Sequence, residues 1–136
     1  MGDLVPVNTG EMVSADGASF PAIQRQLADL AHVAGLLEEA LGRLTRRMQH
    51  NADLSRVMGE QAAAAEVDST EIAQMEEVTT ALSGVATVSA AVARRADGIR
   101  TAALATQAAH DAEYRGVYEA VQAVGTQAKA GFYRNT

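Results

Sequence analysis

From Phe20 to Met48 the apolar residues Phe20, Ile23, Leu27, Leu30, Ala34, Leu37, Leu41, Leu44 and Met48 return at alternating spacings of three and four. The antiphase position of the same heptad carries Arg25, His32, Glu39, Arg46, Asp53 and Glu60, all polar. A seam and a solvated stripe that keep step over this length specify a coiled-coil-like helix. Ser19 is placed to cap it, and Pro21 falls in the first turn, where a missing N–H costs nothing. No proline follows, so nothing forces a break. The pattern weakens after Met48, where Asn51 and Ser55 take seam positions before Met58 and Ala62 restore it. A buried polar residue in a heptad specifies register at some cost in stability, and Asn51 is expected to do so.

The segment EVDST marks a turn, with Asp68 and Glu71 at capping-box spacing and Ser69 as an alternative cap. A second helix then runs through Ile72, Met75, Val78, Leu82, Val85, Val88, Val92 and Ile99, and on to Val117, Val121 and Val124. Gly98 is its expected kink. The organisation expected is a flexible arm over 1–18, a hairpin over 19–130 with helices at about 20–65 and 69–128, and a tail over 131–136. A short connection between long helices makes them antiparallel neighbours, so residue i lies roughly beside residue 135 − i. A four-helix alternative, with breaks at Asn51–Asp53 and Ala96–Gly98, stays open.

Within the second helix, VTTALSGVATVSAAVA (Val78 to Ala93) holds no charged side chain. One neighbouring helix cannot bury such a segment on every side. Aromatics make up only 4% of the chain and Ala is the commonest apolar residue, so the core of a lone hairpin is thin. The expected fold is therefore all-α: a long antiparallel hairpin that pairs with a second copy into a four-helix bundle. The residues expected to mediate that self-association are Val78, Leu82, Val85, Ala86, Val88 and Val92 on one helix, and Leu37, Leu41, Leu44 and Met48 on the other.

Other chemistry is sparse. There is no Cys, which excludes disulfides and thiolate metal sites. The histidines His32, His50 and His110 lack the Glu-x-x-His spacing of carboxylate-bridged metal bundles, and no phosphate loop, HExxH or GxSxG is present. No catalytic residue, metal or cofactor is assigned, and the chain is expected not to be an enzyme. Charge is segregated. Arg43, Arg46, Arg47, Arg94, Arg95 and Arg100 gather at a basic waist, while Asp53, Glu60, Glu66, Asp68, Glu71, Glu76 and Glu77 outnumber Arg56 at the turn. Solvated faces with i,i+4 pairs account for much of this. The alternative is docking of staggered hairpins, or an anionic partner held at the waist. Nucleic acid fits poorly, because the net charge is −6 and no aromatic interleaves the arginines. Tyr114 and Tyr118 read as core or end packing. Phe132 and Tyr133, in AGFYRNT, are either a short docking motif or an aromatic plug. The start lacks a basic, apolar signal sequence and no window is apolar enough to span a membrane, so a cytoplasmic location is expected.

The segments DLVPV, TG and LADLAH near the start, with AKAGFYR near the end, resemble small helical proteins of actinobacterial plasmids and integrative elements, the TraB-type conjugal-transfer proteins. That resemblance implies a role in conjugal DNA transfer. It does not carry over the motor activity that shares the name, since the chain has no Walker motif. A second, architectural resemblance is to the helical-hairpin substrates of type VII secretion, although there is no Trp for a WxG turn. The leading expectation is a non-enzymatic, self-associating coiled-coil adaptor or structural accessory in conjugal transfer. The alternative is a type VII-like hairpin that acts through a partner hairpin.

Overall fold

A computed structural model describes the backbone of residues 19–134 and the side chains through 125. The arm over 1–18 and the side chains of Phe132 and Tyr133 lie outside the described residues. Two helices, α1 (Phe20–Ala64) and α2 (Ser69–Arg134), pack against each other as a hairpin, with no strand among the described residues. Neither helix breaks, so the four-helix alternative is not what this chain adopts. Gly98 sits within continuous helix with nothing near its Cα that a side chain would strike. Helix α2 also continues to Arg134, past the boundary expected near 128.

The ends are built as the sequence indicates. The Ala22 N–H donates to Ser19 Oγ at 3.3 Å, an N-cap on α1. Asp68 caps α2 by accepting from the Thr70 N–H at 2.8 Å, and that backbone bond is the main cause that holds its carboxyl below the usual carboxylate range. The Glu71 N–H donates to the Asp68 backbone carbonyl at 3.1 Å, so Asp68 acts as a simple N-cap through Thr70 and not as one half of the expected capping box. The turn itself is a Schellman motif: the Val67 N–H donates to the Ala62 carbonyl at 3.1 Å and the Glu66 N–H to Ala63 at 3.2 Å. Its left-handed position is filled by Glu66, at φ 59°, where glycine is the usual occupant.

The described residues divide into two compact units, one of His32–Arg100 and one that joins those before His32 to those after Arg100. In His32–Arg100 the contact seam mixes small and polar residues with a few large apolar ones. On α1 it runs through Ala34, Glu38, Leu41, Thr45, Met48, Ala52, Ser55, Gly59 and Ala62; on α2 through Ile72, Met75, Thr79, Leu82, Ala86, Ser89, Ala93, Ala96 and Arg100. Both alternate at three and four. Ala34, Ala52, Ala86, Ser89 and Ala96 are its buried members. This corrects the expected α1 seam at every second position: Leu37 and Leu44 are exposed, and Glu38 and Thr45 lie inward in their place. Asn51 likewise is half-buried on a flank while Ala52 takes the seam. The physical reason is helix spacing. Small side chains let two backbones approach closely along their whole length, and a leucine at each seam position would hold them apart.

The register agrees with the one expected. Thr79 Oγ1 donates to Ser55 Oγ at 2.8 Å, and a Cβ on Gly59 would meet Met75 at 3.9 Å. Further along, Arg100 crosses the seam beside Gly35 and reaches Glu38 at 3.4 Å while it bonds Asp97 at 2.7 Å. The Asp97 hydrogen bond, then the Glu38 charge, raise the Arg100 pKa above its ordinary value. Threonines inside α2 satisfy their hydroxyls on the preceding turn, as Thr87 does on Ser83 at 3.0 Å, which lets a β-branched polar residue sit within a helix.

In the other unit, Ala31 and Ala103 are buried and the helices are tied by an exchange of glutamines. Gln24 Nε2 donates to the Gln107 carbonyl at 3.2 Å, and Gln107 Nε2 donates to the Gln24 carbonyl at 3.3 Å. Phe20 is stacked between His110 and Tyr118 at 5.1 and 5.0 Å, with Arg115 over its ring at 5.4 Å.

Candidate interaction surface

Close packing of small residues leaves the large ones outside. In His32–Arg100 the exposed apolar side chains of α1 include Val33, Leu37, Leu44, Leu54 and Met58, and those of α2 include Val78, Val85, Val88, Val92 and Ile99. Val33 and Val88 are 60% and 63% exposed, although each sits within a few residues of a buried alanine.

These side chains share one side of the hairpin. Near the turn a groove of about 680 Å³ is lined by Asn51, Leu54 and Met58 from α1 and by Glu71, Gln74 and Val78 from α2. Heptad spacing extends that side along both helices. Leu37 and Leu44 are in phase with Met58, Val33 with Leu54, Val85, Val92 and Ile99 with Val78, and Val88 with Gln74. The opposite side is polar. Its grooves are lined by Arg56, Glu60, Glu76 and Thr80 near the turn, and by Gln49, Asp53, Thr87 and Arg94 further along.

The residues expected to mediate self-association divide accordingly. Leu41, Met48, Leu82 and Ala86 belong to the intrachain seam, and Ala86 is only 4% exposed. Leu37, Leu44, Val78, Val85, Val88 and Val92 are exposed and lie on the apolar side. Val78–Ala93 is thus lined on one side by α1 and left open on another.

The arginine waist is also distributed. Arg100 is taken into the seam by Glu38 and Asp97, and Arg43 pairs with Glu39 at 3.9 Å on the surface. Arg94 lines the polar groove, and Arg46 shares the phase of Asp53 there. Arg47 and Arg95 lie on the apolar side, in phase with Leu54 and Val88, and make no ion pair among the described residues. Glu38 and Asp97 are among the few acids that the sequence sets against this waist, and the structure brings both onto Arg100. The antiparallel register sets residue 100 beside residue 35 and one turn from Glu38.

Chemistry elsewhere is limited. His110 Nδ1 lies 2.7 Å from Gln24 Nε2, one residue from the Arg25 that the expected register sets beside it, and its ring packs on Phe20 and Tyr114. Arg115 bonds Asp111 at 2.7 Å, which lowers the Asp111 pKa and raises that of Arg115. Among the described residues no group of three or more His, Asp or Glu side chains converges on a metal-sized site. Nor is any described helix long and apolar enough to cross a membrane.

Comparison with known proteins returns no matching family model, curated protein or solved structure.

Proposed function

We propose that this chain is a non-enzymatic, self-associating coiled-coil adaptor or structural accessory whose working surface is the apolar side of His32–Arg100. One observation carries the reading: two parallel rows of Leu, Val, Ile and Met stand exposed on one side, while the seam beneath them is closed by alanines. These side chains form an exposed apolar stripe of the kind that marks an interaction site. The opposite side, polar and charged, stays available for a second protein, as an adaptor requires. Conjugal DNA transfer is the setting implied by the short segments near each end of the chain.

The test is association and its loss by a single charge. Wild-type protein sediments as an oligomer at micromolar concentration, and Val88→Glu sediments as a folded monomer. A wild-type monomer whose helicity and sedimentation are unchanged by Val88→Glu would remove the reading.

A further inference from the structure

The apolar side also carries a charge pattern that selects one way for two copies to meet. Along the heptad positions that build it, charge occurs at Glu71, Arg47 and Arg95 alone. Glu71 lines the groove near the turn, and neither arginine has an ion-pair partner among the described residues. The observed register sets Glu71 level with about residue 63 of α1 and Arg95 level with about residue 39. Arg47 and Arg95 therefore stand on opposite helices, about 12 Å apart along the axis, with the acid displaced toward the turn.

Resting on the self-association reading above, the geometry points to a two-fold antiparallel pairing of hairpins that is staggered, so that Glu71 of each copy enters between Arg47 and Arg95 of the other. A two-fold axis makes every contact twice, with the same patch on both copies. Seating Glu71 at the midpoint of the two arginines puts that axis at about residue 53 of α1, beside Leu54. The competing register centres the apolar rows on each other and puts the axis near Leu44. It buries somewhat more apolar surface, but it gathers the Arg47 and Arg95 guanidiniums of both copies around the axis with no acid between them. Like charges set face to face in a closing interface suppress that arrangement, and opposite charges fix the other. The net charge of −6 also argues against an anionic lipid surface as the occupant.

The chain has no cysteine, so single cysteines report register without further changes. A residue on a two-fold axis meets its own copy, and a disulfide requires Cβ atoms within about 4.5 Å. Under mild oxidation Leu54→Cys forms a covalent dimer and Leu44→Cys does not. Glu71→Arg raises the dimer dissociation constant by about tenfold or more, and adding Arg47→Glu with Arg95→Glu to the same chain restores it. Dimers that cross-link through Leu44→Cys, alone or as readily as through Leu54→Cys, overturn the stagger. Wild-type dimers that cross-link through neither position overturn this geometry and leave self-association standing. A wild-type chain that sediments as a monomer removes the self-association reading itself, and if that monomer floats with phosphatidylserine vesicles the face belongs to a membrane surface.

Discussion

The seam of His32–Arg100 and the apolar side next to it use opposite residue types for one purpose. The seam is closed by Ala34, Ala52, Ala86 and Ala96, which bury little surface each but allow the two backbones to lie close. The side presents Leu37, Leu44, Val85 and Val88, which could bury far more and are left exposed. A hairpin built to stand alone gains most by turning its leucines inward, at about 25 cal/mol for each Å² removed from water. A seam whose fully covered positions are alanines, beside a row of exposed leucines and valines, is the division expected of a hairpin whose second layer comes from another chain. The difference teaches that intrachain and interchain packing are written on adjacent stripes of the same heptad.

The largest expected effects separate those stripes directly. Ala86→Glu places a charge against α1 at a buried position, and an unpaired buried charge costs several kcal/mol, comparable to the whole stability of a small domain. Circular dichroism is expected to show loss of helix or a collapse of the melting temperature. Val88→Glu, only two residues away, is expected to leave the hairpin folded and to act on association alone. If both variants unfold the chain, Val88 is enclosed by its own hairpin; if neither does, Ala86 is not a seam residue.

Smaller changes sharpen the seam. Ser55→Ala and Thr79→Val each remove one partner of the cross-helix hydroxyl bond, at about 1 kcal/mol. The double variant should cost less than the sum of the two, and strict additivity would show that the bond does not form. At the turn, Glu66→Gly should stabilise by about 1 kcal/mol, because glycine occupies the left-handed conformation without the strain of a Cβ. A loss of stability there would mean that Glu66 contributes something beyond its backbone.

The smallest effect is a pH dependence. Asp68 and Asp111 both have carboxyl pKa values below the ordinary one, Asp68 chiefly through the Thr70 N–H and Asp111 chiefly through Arg115. A depressed acid contributes stability above its unfolded pKa and loses it as pH falls through the folded value. Thermal melts should therefore be flat at neutral pH and decline below the usual carboxylate range, with a shallower decline in Asp68→Asn. A chain that becomes more stable in acid would show that carboxylate repulsion at the turn outweighs these bonds.

Much of the fold was legible in the sequence. Ser19, Pro21, EVDST and the heptads located both helices, the turn between them and their register, because caps and periodicity act locally. The seam was harder to read. Leu41 and Met48 belong to it, but its alternate positions hold Glu38, Thr45 and Gly59, residues that a hydrophobic pattern assigns to the surface. The stronger apolar row, through Leu37 and Leu44, lies one residue away and drew the assignment. Periodicity locates apolar stripes but does not say which one faces the nearer helix. The same ambiguity explains why Leu37 and Leu44 were grouped with Leu41, Met48 and Ala86, which the structure sets on a different stripe. For Arg100 and its acids the sequence held the signal only in the pairing of the two helices, where Glu38 and Asp97 come together around one guanidinium.

Sedimentation equilibrium of the unmodified chain at micromolar concentration tests the central claim most directly. The account predicts a mass of at least twice the 14.2 kDa of the chain, falling toward one copy on dilution. A constant mass of one chain across the concentration range, with full helicity retained, would contradict it: the leucine and valine rows would then be stable in water on a lone hairpin.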